Sequence, residues 1–171
     1  MTSYMPTPTT APSTPLHIRR IDTPDDENIE RVLAMSNDIF AVTDSTDKHG
    51  SLPYWRNHLS HPSSFIIYLA SSIQPDLPVA FIFVIPRQYD PALTNGAVNG
   101  LHIWLAGVSP EWRTAGCLTR MIRELDDIDT LSICTFQSRF PLMFSWLTRR
   151  GWLQEQKFPD GKVLFSRPKA A

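Results

Sequence analysis

The sequence predicts one mixed domain of the α+β or α/β class, built on a central β-sheet. Runs of β-branched and aromatic residues alternate with amphipathic helical patterns in the order β-α-α-β-β-β-α-β-α-β-β. A length of 171 residues is enough for one hydrophobic core. Because no internal repeat is found, we expect a single domain over residues 16–171, after a disordered Pro/Thr-rich tail over residues 1–15.

The first elements are a short strand and two helices. Residues 16–21 (LHIRRI) predict the strand, and residues 22–40 predict a helix. Thr23 is a suitable N-cap for this helix, and Pro24 suits its first position. Residues 52–62 (LPYWRNHLSHP) predict a second, shorter helix that ends before its final proline.

The middle of the chain predicts three strands and a helix. The apolar runs 64–71 and 77–86 are separated by turn residues, which indicates a hairpin. Residues 87–100 contain Pro, Asn and Gly and predict a loop. The apolar run 101–108 predicts the fourth strand, and the pattern of residues 116–128 predicts a helix with one apolar side.

The last third of the chain predicts a strand, a helix and a hairpin. Residues 131–137 (LSICTFQ) form the strand, and residues 140–150 predict a helix that has Pro near its start and Gly just past its end. Residues 151–158 and 162–168 then predict two strands joined by a turn.

Composition and charge narrow the function classes. The net charge of −1 gives no electrostatic footprint for nucleic acid or an acidic membrane. No segment has the length of apolar sequence that a membrane span needs, and the N-terminus lacks the pattern of a signal peptide. We therefore expect a soluble, cytoplasmic protein with neither nucleic acid nor membrane as partner, and the nucleus stays open as a location.

The cysteines and histidines predict neither a disulfide framework nor a metal site. The two cysteines, Cys117 and Cys134, fall inside predicted core elements. His58 and His61 are three residues apart, but no carboxylate or Cys stands near them in sequence. We therefore expect no metal cofactor.

The stretch GVSPEWRTAGCL, residues 107–118, joins the fourth strand to the following helix. One interpretation is an ordinary tight turn. The other is a cradle of backbone N–H groups for a phosphate, because a helix start binds anions and a glycine lets a phosphate approach the backbone. The stretch has neither the Lys-Ser/Thr pair of a P-loop nor the glycines of a Rossmann fingerprint.

The pattern V-x-P-x-x-R-x-x-G of residues 108–116, set between the fourth strand and a helix, resembles the GNAT superfamily of acyl-CoA N-acyltransferases. That family's motif, Arg/Gln-x-x-Gly-x-Gly/Ala, corresponds to residues 113–118. The later stretch WLTRRGW, residues 146–152, resembles the helix of this family that ends in Gly-Phe. The resemblance covers roughly residues 16–167, and it extends most to small GNAT proteins of filamentous fungi.

The resemblance implies a central, mostly antiparallel mixed sheet that is splayed between the fourth and fifth strands and flanked by about four helices. It implies acetyl-CoA, or another acyl-CoA, as co-substrate. The fourth strand would bulge near Gly107 to expose backbone groups to the cofactor; the alternative for this glycine is a simple sheet irregularity. The implied cofactor-binding residues are Ala106, Gly107, Val108, Arg113, Thr114, Ala115, Gly116, Cys117 and Leu118.

Three positions depart from the family pattern. Leu118 stands where the family prefers Gly or Ala, and Phe140 stands where it often has Asn. Leu147 occupies the position of the tyrosine that often protonates the leaving thiolate, so the usual general acid is missing. The departures at Leu118 and Leu147 support the alternative of a CoA-binding or interaction protein that has lost catalysis.

The candidate catalytic base is His102, eleven residues before Arg113 on the predicted fourth strand. A neutral imidazole is a suitable proton acceptor near neutral pH; the alternative for His102 is a partly buried histidine near a strand end whose hydrogen bonds are satisfied. Alternation places His102, Trp104 and Ala106 on one face of the strand. The candidate walls of an acceptor pocket are Phe40, Tyr54, Trp55 and Trp104, and the alternative for each of them is a place in the hydrophobic core, where such residues more often lie.

The resulting hypothesis is an acyl-CoA-dependent N-acyltransferase that moves an acetyl or other short acyl group to an amine by direct attack. The acceptor would be a small molecule or a peptide, and a homodimer is left open. The alternative is a CoA-binding or interaction protein that has kept the fold and lost catalysis. A third alternative is a plain α+β binding domain with no CoA site.

Overall fold

A computed structural model describes residues 15–41 and 50–168 of the chain, so the predicted tail lies almost entirely outside the described residues. The strands are β1 (Leu16–Ile21), β2 (Phe65–Ser71), β3 (Pro78–Gln88), β4 (Asn99–Val108), β5 (Leu131–Phe136), β6 (Leu153–Lys157) and β7 (Lys162–Ser166). The helices are α1 (Ile29–Ile39), α2 (Leu52–Leu59), α3 (Cys117–Arg123) and α4 (Pro141–Arg149), with a 3-10 turn at Pro110–Trp112. No helix in these ranges is long and apolar enough to cross a bilayer. The predicted order of elements is confirmed.

The seven strands form one sheet in the order β1-β2-β3-β4-β5-β7-β6. All neighbouring strands are antiparallel except β4 and β5. These two pair in parallel over only three residues each, Leu101–Ile103 against Leu131–Ile133, although both strands continue beyond them. The predicted mixed, mostly antiparallel sheet with a splay between β4 and β5 is therefore confirmed.

Helices cover both faces of the sheet, which explains why every residue of β2 is buried. One core joins α1 and α2 to the sheet, with Val32 and Trp55 packed among side chains such as Phe81 and Phe83. The opposite core joins α3 and α4 to the other face; Met121 and Leu147 are among its buried members.

Two helices are shorter than the sequence predicts. The predicted helix over residues 22–40 begins at Ile29, with Asn28 as N-cap. The Asp26 carboxylate accepts a hydrogen bond from the Asn28 backbone N–H at 2.8 Å, and such a local turn competes with the helix. The helix predicted over residues 116–128 is α3, which ends at Arg123, because Glu124 and Leu125 donate to carbonyls only three residues back.

Candidate active site

A cavity of about 550 Å³ opens where β4 and β5 separate. The end of α1 and the start of α4 complete its walls. The described lining residues are Ser36, Asn37, Phe40, Ile85, Pro86, Arg87, His102, Ile103, Trp104, Leu105, Ala106, Ile133, Cys134, Thr135, Phe136, Arg139, Phe140, Met143 and Lys162. The cavity thus reaches both faces of the sheet through the gap between the two strands.

Trp104 is an extra residue in β4. Phe83 of β3 pairs with Leu105 and Val84 pairs with Ile103, so Trp104 is the additional residue of β4 between these two pairs. As a result Trp104 and Leu105 both pack on the side of α1 and α2, whereas Ala106 packs on the side of α3 and α4. The prediction that Ala106 shares a face with His102 and Trp104 is therefore wrong, because the bulge reverses the alternation.

Gly107 lies in regular pairing with Phe81 rather than in the bulge that was predicted around it. A Cβ atom at Gly107 would lie 2.9 Å from Ile39 Cδ1 and 3.0 Å from Phe81 Cε1. The missing side chain therefore makes room for the end of α1 on the sheet. Neither Gly107 nor Val108 lines the cavity, although Ala106 does.

The loop of residues 113–118 leads from the 3-10 turn into α3. The Ala115 N–H donates to Trp112 O, but the N–H groups of Thr114, Gly116 and Leu118 have no hydrogen-bond acceptor among the described residues. Gly116 has a φ of 72°, and an added Cβ would meet nothing within 4 Å. The loop therefore offers free donors beside an open surface, as an anion site requires.

Side chains around the loop are held by packing and hydrogen bonds. Leu118 packs against the core shared with α3 and α4, so this residue does not block the loop. The Arg113 Nε atom donates to Val108 O at 3.3 Å. From the end of α4, Arg150 donates to the Thr119 hydroxyl at 3.1 Å, which brings a second guanidinium to the first turn of α3.

His102 is 5% exposed and belongs to a chain of hydrogen bonds. Its Nε2 lies 3.1 Å from Arg87 Nη1, and its Nδ1 lies 2.7 Å from the Ser132 hydroxyl, which lies 2.5 Å from the Tyr89 hydroxyl. A guanidinium can only donate, so Nε2 accepts and Nδ1 carries the proton. Burial, and then the charges of Arg87 and Lys162, lower the pKa of His102 to about 3. The imidazole is therefore neutral, and its acceptor nitrogen is occupied.

The four residues proposed for the acceptor pocket separate into two pairs. Phe40 and Trp104 line the cavity. Trp55 is fully buried against Phe81 and Phe83, so it belongs to the core and does not reach the cavity. Tyr54 contacts the Trp104 ring edge-on at 5.6 Å and supports the wall from behind.

The two thiols differ in location. Cys134 lines the cavity, and burial raises its pKa, with the nearby Arg87 partly opposing this effect. Burial also raises the pKa of Cys117, the first residue of α3, whose side chain is buried in the core. Neither is a thiolate at neutral pH. Both are free cysteines, and the described residues contain no group of three or more His, Cys, Asp and Glu side chains that could hold a metal.

Sequence reasoning missed the cations of the cavity: Arg87, Arg139 and Lys162. The sequence predicts a loop at Arg87, whereas β3 extends through Gln88. One signal was available: Arg87 directly follows an apolar run that ends in Pro86, so it is the first charged side chain after a buried strand. No comparable sequence pattern indicates that Lys162 and Arg139 line a cavity.

No protein-family model matches the chain, and no curated protein matches it in sequence. Solved structures of other proteins are similar to this chain in fold. A protein of the GNAT family of acetyltransferases from Desulfovibrio desulfuricans is 16% identical, with a TM-score of 0.61 over 91% of this chain and 100% of that one. An aminoglycoside 6'-N-acetyltransferase from Acinetobacter baumannii is 14% identical, with a TM-score of 0.64 over 84% and 95%. A chain of the NatC complex bound to Gag peptide and CoA is 14% identical, with a TM-score of 0.53 over 88% and 95%.

Proposed function

We propose that this chain, which has the fold of the GNAT acetyltransferases, is an acyl-CoA-dependent N-acyltransferase. The observation that carries the proposal is the separation of β4 and β5 after three paired residues, which opens a cavity of about 550 Å³ through the sheet. An elongated thioester can enter such a gap from the side of α3, and an amine can reach it from the side of α1. We expect a small molecule or a peptide end as acceptor and the cytoplasm as the location.

Several chain groups fit an acyl-CoA. The N–H groups of Thr114, Gly116 and Leu118 have no acceptor among the described residues, so they can donate to the pyrophosphate. Arg150, held at Thr119, adds a positive charge beside them. The pairing of β4 with β5 ends at Ile103, and no pairing with β5 is seen at Leu105, Ala106 or Gly107 among the described residues, so backbone groups of these three residues can face the pantetheine arm.

The bound acyl-CoA would supply the thioester carbonyl that the amine attacks. The chain contributes orientation above all, and orientation can supply much of the rate of such a reaction. Phe40 and Trp104 form an aromatic wall on the acceptor side, near the bulge of β4. No tyrosine stands at Leu147, which is buried, so the chain offers no acid there for the leaving thiolate.

The base role of His102 stays a prediction with a defined condition. His102 can accept a proton from the amine only if Nε2 releases Arg87. While that hydrogen bond lasts, the amine must lose its proton to water in the open cavity. His102 then acts as a positioning residue that holds Arg87.

The alternative function is CoA binding without turnover. The occupied Nε2 of His102 and the missing acid at Leu147 favour it. Acetyl transfer to an amine, followed by release of the CoA thiol, would exclude it. Acetyl-CoA binding without transfer to any of a broad panel of amines would favour it.

The experiment that tests the proposal is calorimetric titration with acetyl-CoA, CoA and dephospho-CoA. We expect micromolar dissociation constants, which are common for cofactors held by phosphate contacts. Gly116→Val should weaken binding about tenfold or more, because its side chain would occupy the open surface where a phosphate approaches and would add strain at a positive φ.

Gly96→Val is the matched control. Gly96 has a φ of 86° and an added Cβ also meets nothing within 4 Å, so the backbone strain is similar, but the residue lies between β3 and β4 and does not line the cavity. Equal loss of binding in both variants would attribute the effect to general strain. No binding by the wild type would overturn the proposed function.

A further inference from the structure

The charged side chains that line the cavity are all positive among the described residues. Three described lining residues carry a positive charge, namely Arg87, Arg139 and Lys162, and no described lining residue is Asp or Glu. Nor does any of the three form an ion pair with a carboxylate among the described residues. A cavity lined in this way has a positive potential that nothing in the described walls balances.

Arg87 is the best anchored of these cations. It is half-buried, and its Nη1 atom donates to His102 Nε2 at 3.1 Å and contacts Cys134 Sγ at 3.5 Å. Both partners are neutral at pH 7, because burial keeps the His102 pKa low and the Cys134 pKa high. A partly desolvated guanidinium whose partners are neutral retains its full attraction for an oxyanion.

The anchor of Arg87 is itself buried. His102 is 5% exposed and Ser132 is 0% exposed, and the two are joined by a 2.7 Å hydrogen bond. The Tyr89 hydroxyl is hydrogen-bonded to the Ser132 hydroxyl and is the last member of this series of hydrogen bonds. A buried polar chain of this kind fixes the guanidinium in one place, which is what a specific ligand contact requires.

Lys162 and Arg139 extend the positive region. The Lys162 charge contributes to the lowered His102 pKa, so its field reaches the Arg87 end of the cavity. The Arg139 guanidinium lies 5.3 Å from the centre of the Phe140 ring, at the start of α4. The carboxylate of Asp160 accepts from the Lys162 backbone N–H and does not line the cavity, although its charge contributes to the raised Cys134 pKa and so offsets part of the positive field.

Arg87 and Lys162 lie on the acceptor side of the sheet. Arg87 is two residues beyond Ile85, which packs with α1 and α2. Lys162 is two residues before Leu164, which packs with Tyr89 rather than with α3 and α4. The proposed phosphate loop leads into α3, which packs on the opposite face. The two cations are therefore poorly placed for the pyrophosphate of an acyl-CoA.

We propose that the acceptor is a small amine that also carries an anionic group, a carboxylate or a phosphate, bound by Arg87 and Lys162. The inference rests on the proposed function, because it names the acceptor of that site. An ammonium group alone would be repelled by the cations, whereas an attached anion offsets this repulsion. The same cations lower the pKa of the amine, which favours the neutral form that attacks. A guanidinium suits either oxyanion.

The test compares acetyl transfer to matched amines at fixed acetyl-CoA. The pairs are O-phosphoethanolamine against ethanolamine and β-alanine against β-alaninamide, with spermidine as a polycation. We expect kcat/KM to favour the anionic member of at least one pair by about tenfold or more. A larger kcat/KM ratio for the phosphoethanolamine pair would indicate a phosphate, and a larger ratio for the β-alanine pair would indicate a carboxylate.

Variants assign the preference to residues. Arg87→Gln and Lys162→Gln should each lower the preference for the anionic amine about tenfold, with the affinity for acetyl-CoA unchanged. Arg87→Lys keeps the positive charge but lacks the planar guanidinium that can donate two parallel hydrogen bonds, so it should retain part of the preference. Arg19→Gln and Lys157→Gln, exposed on β1 and β6, are matched controls that should change nothing.

Binding of the same amines, measured by thermal shift without acetyl-CoA, separates the two proposals. If the wild type binds the anionic amines but not acetyl-CoA, and Arg87→Gln loses the amine binding, the anion site stands and the proposed function is overturned. Turnover with no preference for anionic amines would overturn the anion site and keep the function. Weakened acetyl-CoA binding in Arg87→Gln with an unchanged acceptor preference would assign the cations to the cofactor and also overturn the inference.

Discussion

At the scale of single residues, His102 shows how direction in a hydrogen bond decides chemistry. Its Nε2 must accept because Arg87 can only donate, so Nδ1 is the donor to Ser132. Protonation would place an N–H against the guanidinium inside the core. The residue is therefore held neutral, and the most direct consequence is an effect on stability rather than on the rate.

The stability effect has a defined sign. The pKa of His102 is about 3 in the folded chain and returns to about 6.5 on unfolding. Between these values the unfolded chain binds a proton that the folded chain does not, so stability falls as the pH decreases through this window. His102→Gln removes this contribution, and the stability advantage of the wild type should shrink by about 2 kcal/mol from about pH 7 to about pH 5. Urea unfolding of both proteins at the two pH values measures it. A constant difference would mean that the imidazole titrates normally.

At the scale of elements, β4 combines a bulge and a glycine that have separate purposes. The bulge at Trp104 moves Leu105 to the side of α1 and α2 and Ala106 to the opposite side, just where β5 leaves β4. Gly107 then admits Ile39 at the end of α1. The acceptor-side wall thus depends on close contact between a strand and a helix.

Gly107→Ala tests this contact. The added Cβ would lie 2.9 Å from Ile39 Cδ1, so we expect a loss of about 1–3 kcal/mol in the free energy of unfolding. Ile39→Val removes the Cδ1 atom, and the double variant should be more stable than the sum of the two single changes predicts, by about 0.5 kcal/mol or more. Denaturant unfolding of all four proteins completes the cycle. If the two changes in the free energy of unfolding are simply additive, the end of α1 moves away from the added methyl group without cost, and the proposed close contact is wrong.

At the scale of the whole molecule, a continuous sheet carries two separate cores and an opening between them. The halves β1–β4 and β5–β7 are joined by three residue pairs between β4 and β5 and by the helices packed across the faces. A ligand in the gap would contact both halves. Binding should therefore stabilise the fold as a unit.

Thermal unfolding measures this linkage. Under the proposed function, acetyl-CoA at about 100 times its dissociation constant adds about 2.7 kcal/mol to the free energy of unfolding, which raises Tm by about 5–10 °C. Gly116→Val should show a smaller rise at the same concentration, and Gly96→Val should show the wild-type rise. An identical rise in all three proteins would place the ligand away from the loop of residues 113–118.

The sequence by itself determined the element order and the sheet class, because strand and helix patterns are local and of different period. It also indicated the loop of residues 113–118, since a Gly-containing turn between a buried strand and a helix is visible in the residues alone. It could not locate the bulge. One extra residue at Trp104 shifts every later side chain to the other face, and no local pattern around Trp104 or Gly107 marks which of them is extra.

Tertiary structure alone decided the character of the cavity. Arg87, His102, Cys134 and Lys162 come from four different strands and meet only because β3, β4, β5 and β7 are consecutive in the sheet. The same assembly buries His102 and places its acceptor nitrogen against Arg87, so the candidate base also holds a guanidinium at the cavity. Strand order and burial are products of the whole chain, so the charge of the site and the protonation of its histidine follow from the fold, whereas the elements that carry them follow from the sequence.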